Sequence, residues 1–371
     1  MTKRILPIIL YELISLISIS SVITVLLLSS NCFISALFEG EKCTSILTHE
    51  EGNCTEVHHC KYALRLIRNR RNPGVCGFNG NIPLVCCPFP QKLELLPGML
   101  SIEKCKEYYF PSNRRVLIEN GEKAKPREFL HMVAVGFGER NILWLCGGTL
   151  ISHRFVLSTA HCVYSVEFGP ARWIRVGDLD LKNTTEDANP EDLKISEIHI
   201  HPKYKYSSYY HDIALFKTEQ EISFGFYLKP ACLQAAKYLP VNTLQAIGWG
   251  KIGFLDERSD HLLKADLSIV NHHACAKGYA NVARTRKLTK GILDEFQICA
   301  GSTQGKDTCL GDSGGPLHYE LYRTSTLDYH FVVAGITSFG KGCGGKNSAG
   351  VYTRVSAYVG WIENIVWKED D

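Results

Sequence analysis

The sequence Gly311-Asp312-Ser313-Gly314-Gly315-Pro316 places a serine in a glycine-rich turn, directly after a carboxylate. Attack by a serine hydroxyl on a carbonyl creates an oxyanion. A tight turn of this kind can direct the backbone N–H groups of Gly311 and Ser313 at that charge. The stretch therefore predicts a nucleophilic serine that is accompanied by its own oxyanion hole.

Two further motifs supply the groups that such a serine needs. The first is Ser158-Thr159-Ala160-His161-Cys162, and the second is His211-Asp212-Ile213-Ala214-Leu215, in which an acid enters an apolar strand. An unassisted hydroxyl is a poor nucleophile, a histidine that titrates near neutrality can take its proton, and a buried carboxylate stabilises the imidazolium. In the order histidine, aspartate, serine, the motifs resemble the chymotrypsin/trypsin family of serine endopeptidases, from about Ile118 to Trp367.

The resemblance implies a role for each residue and a fold for the chain. Ser313 would be the nucleophile, His161 the general base and later the acid, and Asp212 the group that orients the imidazole. The implied fold is all-β, with two six-stranded antiparallel barrels and the active site in the cleft between them. The sequence after Ile118 is itself strand-rich, and a change of apolar period predicts a closing helix over Val355–Trp367.

Substrate preference is predicted from Asp307, six residues before the nucleophile, which matches the floor of the primary pocket in trypsin-like members of the family. A buried carboxylate needs a cation, so we expect Arg or Lys before the scissile bond. The resemblance places the pocket walls at Ser338, Gly340 and Gly350. Thr308 and Phe339 stand where trypsins commonly have serine and tryptophan, which leaves the Arg:Lys preference and the adjacent subsite open.

Composition and the amino terminus indicate a secreted, modular protein. The chain has 371 residues, 15 cysteines and a net charge of +3, and no basic run interleaved with aromatics predicts a nucleic-acid partner. Lys3 and Arg4 precede an apolar run that is clearest over Leu13–Leu28, and residues 1–36 resemble a signal peptide. Cleavage near Ala36 would also remove Cys32. The alternative is an uncleaved signal anchor.

Six cysteines crowd into residues 43–87, a density typical of a small domain that is stapled by disulfides rather than by a large core. The spacing alone permits 15 pairings. It resembles the clip domain of arthropod proteases, and the resemblance implies the pairs Cys43–Cys86, Cys54–Cys76 and Cys60–Cys87. The cysteines lack the paired spacing of a zinc site, and His58 and His59 are interpreted as surface polar residues, so no metal site is predicted.

Residues 88–117 are predicted to be a linker and activation segment, because they contain several prolines, mixed charge and no sustained period. The protease domain would follow over residues 118–371. The family pattern implies a bridge from the linker, Cys105–Cys232, and three internal bridges, Cys146–Cys162, Cys275–Cys299 and Cys309–Cys343.

The regulatory step is predicted from Ile118-Glu119-Asn120-Gly121, which aligns with the Ile-Val-Gly-Gly that begins active family members. Cutting Leu117–Ile118 would free an ammonium group to pair with Asp312 and order the oxyanion hole. The chain is therefore expected to be a zymogen, and a cut after leucine resembles the snake and persephone type of clip protease. A competing cut at Arg115–Val116 would suit a trypsin-like activator, but its new terminus is two residues too long.

Two smaller predictions concern modification and metal. Asn183-Thr184-Thr185 is a sequon in a polar loop and is expected to be glycosylated, whereas Asn53 lies beside a disulfide cysteine. The acidic stretch from Asp178 to Asp192 overlaps a loop that binds calcium in some relatives of the family. The candidate ligands are Asp178, Glu186, Asp187 and Glu191. A solvated loop is the favoured interpretation, and no cofactor is predicted.

The function predicted from these features is that of a secreted zymogen of a trypsin-like endopeptidase, acting in an extracellular cascade of arthropod haemolymph. The resemblance implies innate immunity, through Toll-ligand or prophenoloxidase activation. The implied partners are a downstream zymogen or cytokine precursor, an upstream activating protease and a serpin inhibitor, with no membrane contact after signal cleavage. The alternatives are a non-catalytic clip-domain homologue that acts as a binding cofactor, which the presence of Ser313 disfavours, and a venom or digestive protease.

Overall fold

The computed structural model describes residues 36–47, 49–68, 71–88, 97–108, 123–183, 185, 188–250, 257–283, 285–301, 312–323, 328–340 and 349–367. The chain divides into two compact units, Met1–Leu93 and Glu94–Asp371. Within the described ranges, no helix is both long and apolar enough to cross a membrane.

Over its described residues, the first unit is a four-stranded antiparallel sheet in the order β1-β2-β4-β3, with one helix. Its elements are β1 (Lys42–Thr44), β2 (Glu51–Glu56), a 3-10 turn (Val57–His59), α1 (Lys61–Arg68), β3 (Val75–Asn79) and β4 (Ile82–Pro88). Three disulfides staple this sheet, and they are the pairs that the resemblance implies: Cys43–Cys86, Cys54–Cys76 and Cys60–Cys87.

The amino-terminal half of the second unit is a closed antiparallel barrel. Six strands run in the order β10-β11-β7-β6-β5-β9, and β10 pairs with β9 to close the ring, while β8 extends β9 at the edge. The strands are β5 (Met132–Phe137), β6 (Leu143–Leu150), β7 (Phe155–Ser158), β8 (Tyr164–Ser165), β9 (Gly169–Val176), β10 (Glu191–Ile200) and β11 (Ala214–Thr218). The interior is filled by branched and aromatic side chains that include Val133, Val135, Ile174 and Phe216.

The carboxyl-terminal half repeats this architecture. Its six strands run in the order β17-β16-β13-β14-β15-β18, β17 pairs with β18, and the short parallel strand β12 adds to β17. The strands are β12 (Cys232–Leu233), β13 (Thr243–Gly248), β14 (Leu263–Ile269), β15 (Gln297–Gly301), β16 (Pro316–Arg323), β17 (Asp328–Phe339) and β18 (Ala349–Arg354). A short helix, α3 (His272–Gly278), follows β14. The predicted pair of six-stranded barrels is confirmed.

The predicted closing helix is also confirmed. A 3-10 turn over Val355–Ala357 leads into α4 (Val359–Val366). Val359 and Ile362 are almost wholly buried in a cluster that also contains Leu157 and Leu215 of the first barrel. Since Val359 and Ile362 are three residues apart, they share one helix face, and that face packs the chain terminus onto the barrels.

The predicted linker contains a helix that its sequence pattern does not predict. This helix, α2 (Met99–Tyr108), is held at its amino-terminal end by the carboxylate of Glu363 in α4. Glu363 accepts the N–H of Gly98 at 2.9 Å and the N–H of Ser101 at 2.6 Å. The Cys105–Cys232 bridge fixes the same helix to β12. Because both anchors come from distant residues, local periodicity does not reveal the helix.

A buried pair of histidines joins the two barrels. His131, next to β5, and His318, on β16, are 1% and 0% exposed, and Nε2 of His131 lies 3.4 Å from Nδ1 of His318. The rings of Phe129 and Phe331 pack around both. Burial lowers the pKa of His131 to about 3, and burial and the His131 charge lower the pKa of His318 well below its usual value.

Charged groups close in sequence to the two histidines also bear on the pH dependence of stability. Glu128 forms a buried ion pair with Lys264 at 2.7 Å. Burial and the charge of Glu128 raise the pKa of Glu320 to about 7. A carboxyl group whose pKa is raised in the folded state increases the free energy of unfolding as pH falls. A histidine whose pKa is lowered in the folded state decreases it as pH falls below the pKa of the unfolded state, near 6.5. Between about pH 7 and 4.5, the effect of Glu320 on the free energy of unfolding is therefore opposite in sign to that of the two histidines.

Replacing both histidines, His131→Phe with His318→Leu, is expected to flatten the fall of stability on acidification. Each buried neutral histidine lowers the free energy of unfolding by about 1.4 kcal/mol per pH unit below 6.5, until the pH reaches the pKa of that histidine in the folded state. The measurement is the free energy of unfolding in urea at neutral pH and near pH 5, with the exposed His273→Gln as control. An unchanged pH dependence in the double variant, equal to that of the control, would show that the pair does not titrate on unfolding.

Candidate active site

His161 lies at the end of β7, in a 3-10 turn over Ala160–Val163. The Cys146–Cys162 bridge ties this turn to β6, so the position of the imidazole is fixed from the neighbouring residue. The His161 side chain is 33% exposed. It is therefore held by the scaffold on one side and remains accessible to a substrate on the other.

Asp212 precedes β11 and is buried, with its side chain 2% exposed. Its Oδ1 accepts the backbone N–H of His161 at 3.0 Å, and its Oδ2 lies 2.8 Å from Nδ1 of the same imidazole. The hydroxyl of Ser338 donates to Oδ2 at 2.6 Å, and the hydroxyl of Thr353 donates to the Asp212 carbonyl at 2.8 Å. The carboxylate is thus satisfied and orients the imidazole, with Nδ1 facing the acid.

The charges of this pair reinforce one another. Burial lowers the pKa of His161, but the charge and hydrogen bond of Asp212 outweigh burial and raise it above its ordinary value. Burial raises the pKa of Asp212, but the charge of His161 and the hydrogen bonds from His161 and Ser338 outweigh burial and lower it. Asp212 therefore stays ionised, and the imidazole is a stronger base than a free histidine.

Ser313 lies beside this pair. Its carbonyl accepts the N–H of Gly147 at 2.8 Å and lies 3.5 Å from Sγ of Cys162, the neighbour of His161. The turn depends on Gly314, whose φ is +83° and whose position leaves no room for a Cβ against Ser158 Oγ and the Gly147 carbonyl. The structure therefore places the backbone of Ser313 against the residue that follows His161, in a turn that requires glycine after the serine.

Asp312, directly before the serine, is held against the end of β13. Its Oδ1 accepts the N–H of Gly250 at 2.9 Å. A Cβ at Gly250 would lie 2.5 Å from the carboxyl carbon of Asp312, and a Cβ at Gly248 would overlap its Oδ1. Two glycines thus make the space that the carboxylate occupies.

Several predicted site residues lie outside the described residues. They are Asp307, Gly311, the Cys309–Cys343 pair, Leu117 and Ile118, and the calcium candidates Glu186 and Asp187. The Cys275–Cys299 bridge implied by the resemblance is present. Gly340 directly follows β17. Gly350 lies in β18 and pairs with Ala300 of β15.

An aromatic pair lies beside the predicted pocket walls. The ring of Phe339 stacks on Tyr209 with centroids 4.0 Å apart and planes 12° from parallel. Tyr279 meets the other side of Phe339 edge to face, with centroids 5.7 Å apart. The sequence motifs identify Phe339 as a departure from tryptophan but do not indicate Tyr209, because the contact joins the end of β17 to a loop distant in sequence.

The sequence matches the Trypsin family model over residues 118–362. The chain belongs to the trypsin family of serine endopeptidases. This trypsin-family chain is 36% identical to Serine protease snk of Drosophila melanogaster over 359 residues, covering 90% of this chain and 80% of that protein. It is 30% identical to Phenoloxidase-activating factor 1 of Holotrichia diomphalia, covering 85% and 90% of the two chains.

Two further similar proteins carry a clip domain in their printed names. CLIP domain-containing serine protease B4 of Anopheles gambiae is 30% identical over 90% of this chain and 94% of its own length. A solved structure, the Grass clip serine protease of the Drosophila Toll pathway, superposes with a TM-score of 0.58 over 88% of this chain and 97% of that chain, at 24% identity. The fold is therefore that of a clip-domain serine protease.

One residue of the endopeptidase site, and one contact of another, are not predicted by the motifs. Thr353 fixes the Asp212 backbone from β18, and Ser338 contacts Asp212 in addition to its predicted place in the pocket wall. Both lie more than a hundred residues from Asp212, and a hydroxyl in a strand has no pattern that separates it from an ordinary core residue. Only the strand pairing of the second barrel brings them to the acid.

Proposed function

We propose that this protein is a secreted zymogen of a trypsin-like endopeptidase that cleaves after Arg or Lys in an extracellular proteolytic cascade. The observation that supports catalysis is the 2.8 Å contact between His161 and the buried Asp212, beside the Ser313 turn. The presence of Ser313 argues against a non-catalytic binding cofactor, because such homologues typically lose the nucleophile.

The cleavage preference rests on Asp307. Its carboxylate would lie at the base of the primary pocket, with Ser338, Gly340 and Gly350 around the entrance. An arginine or lysine side chain would pair with this carboxylate, whereas an apolar side chain would leave it buried without a partner. Discrimination against apolar substrates is therefore expected to be strong.

Activation would follow from cleavage of the Leu117–Ile118 bond. The new ammonium group of Ile118 would pair with Asp312, whose carboxylate already lies against Gly248 and Gly250. The competing Arg115–Val116 cut would produce a terminus two residues longer, which does not match the length of the family's insertion segment. The Cys105–Cys232 bridge would keep the two chains joined after either cut.

The setting is proposed from the printed names of relatives. Phenoloxidase-activating enzyme 1 of Spodoptera litura and Proclotting enzyme of Tachypleus tridentatus are 28% and 29% identical to this chain. We place this chain in haemolymph innate immunity, upstream of a Toll ligand or prophenoloxidase. Its partners would be a precursor substrate, an activating protease and a serpin.

One observation favours a second setting. Venom serine protease Bi-VSP of Bombus ignitus is 30% identical over 86% of this chain and 90% of its own length. The catalytic chemistry would be the same in venom. The tissue that expresses the protein distinguishes the two settings, because a haemolymph protease is made in blood cells or fat body and a venom protease in the gland.

Modification and metal content are proposed from the loop before β10. Asn183 is exposed, and its Oδ1 accepts the hydroxyl of Thr185 in the same sequon at 2.8 Å, which suits glycosylation. In the calcium candidate loop, the guanidinium of Arg175 lies 3.4 Å from Asp178 and 2.6 Å from Asp192. We propose that Arg175 neutralises these acids in place of a calcium ion.

The test uses full-length protein that has been activated in haemolymph, with sequencing of the new amino terminus. A serine-directed fluorophosphonate is expected to label the cleaved protein and an arginyl peptide to be hydrolysed, whereas Ser313→Ala is not labelled. Ser196→Ala, an exposed serine outside the site, is the matched control and should be labelled like the parent. Cleaved parent protein that takes no label would support the binding-cofactor alternative and refute the proposed enzyme.

A further inference from the structure

Three potential metal ligands lie together on the first unit, within four consecutive residues. Oε2 of Glu56 lies 2.9 Å from Nε2 of His58 and 3.8 Å from Nδ1 of His59. The three donor atoms all lie within 4.8 Å of one another. Donors that bind one zinc ion at about 2.0 to 2.2 Å lie at most about 4.4 Å apart, and the distances from Oε2 of Glu56 to both imidazoles meet this limit.

The segment that bears these ligands is fixed at both ends. Glu56 is the last residue of β2 and pairs with Leu84 of β4. The next turn ends at Cys60, which is bridged to Cys87. Because the sheet and the disulfide hold the turn, the ligands are positioned without the ordering cost that a free loop would pay.

A fourth residue orients the carboxylate. The amide of Asn79, at the end of β3, donates to Oε1 of Glu56 at 2.9 Å, which leaves Oε2 directed at the two imidazoles. The Glu56 side chain is 13% exposed, whereas those of His58 and His59 are 49% and 64% exposed. Metal ligands are commonly held by outer hydrogen bonds of this kind, and the exposed imidazoles leave an entry path open.

We propose that Glu56, His58 and His59 form a zinc site on the clip domain, with water or a partner's ligand in the fourth position. Two imidazoles and one carboxylate are a ligand set that zinc uses when one position stays open. The site lies outside the catalytic domain, so it gives the clip domain a metal-dependent surface that is separate from proteolysis. The proposal does not depend on the proposed substrate or cascade.

The test is calorimetric titration of the full-length protein with zinc chloride, after removal of bound metal. The parent protein is expected to show one site that is lost in His58→Asn and in His59→Asn. Asn79→Ala is expected to weaken zinc binding by about 10- to 100-fold, because it frees the Glu56 carboxylate without removing a ligand. A purely electrostatic Glu–His contact predicts no such effect of Asn79 on a metal titration.

His49→Asn is the matched control, since His49 is an exposed histidine of the same unit and its φ of +58° is tolerated by asparagine. It should bind zinc like the parent. Intact disulfides, shown by an unchanged mass under non-reducing conditions, verify that each variant has folded. The proposal is overturned if the parent binds no zinc, or if the His58 and His59 variants keep the parent's affinity.

Discussion

Replacing Asp212 by Asn in the activated enzyme is expected to lower kcat by about 10⁴-fold. Oδ1 accepts a backbone N–H and Oδ2 faces Nδ1 of His161, so the amide oxygen of an asparagine must take the first position. Its NH₂ group then faces the imidazole and favours the tautomer with the proton on Nε2. That tautomer cannot take a proton from Ser313.

The pH profile gives a second readout of Asp212→Asn. In the parent, the Asp212 charge raises the pKa of His161, so the acid limb of kcat/KM lies above the ordinary histidine value. Without that charge burial dominates, and the limb should move to lower pH. Asp260→Asn, at a half-exposed surface acid, should change neither quantity. A variant that keeps most of its kcat would show that Asp212 does not set the tautomer.

Replacing Gly248 by Ala is expected to lower kcat/KM by about 10²- to 10³-fold, the cost of a lost oxyanion-hole donor. The added Cβ would occupy the space of Oδ1 of Asp312, and it would lie 2.9 Å from the carboxyl carbon. Asp312 precedes Ser313 in the turn, so its displacement would move the N–H groups that we assign to the oxyanion hole. The measurement is steady-state hydrolysis of an arginyl peptide after activation.

Gly225→Ala is the control for this substitution, because a Cβ at Gly225 meets no atom within 4 Å among the described residues. It should leave activity and melting temperature unchanged. Thermal unfolding of Gly248→Ala separates a local effect from a global one. Full activity of a stable Gly248→Ala protein would show that the Asp312 carboxylate can shift without consequence for catalysis.

The pairing of His161 with Asp212 could be predicted from sequence because each residue lies in a short, distinctive motif. His161, Asp212 and Ser313 each lie in a distinctive local context, and the family resemblance implies their assembly. The six described disulfides are likewise the pairs that the resemblance implies. Short β-branched and aromatic runs, separated by turn residues, predict the strands.

The features that sequence patterns miss depend on long-range contacts. The helix α2 is stabilised by Glu363 from the opposite end of the chain, and its own residues show no apolar period. The pairing of His131 with His318 joins two barrels, and either histidine alone resembles an ordinary polar residue of a strand. The contact between Glu56 and His58 is local, but the sequence does not predict it, because the pairing of β2 with the distant strand β4 fixes the position of Glu56.

The anchoring of α2 determines which parts of the protein would stay together after the proposed cleavage. The helix precedes the proposed activation bond and is secured by the Cys105–Cys232 bridge and by Glu363. A covalent link makes the encounter of the two cleavage products intramolecular, so their association is independent of dilution. Under the proposed cleavage, each activated catalytic domain would therefore stay attached to one clip domain, and to whatever that clip domain binds.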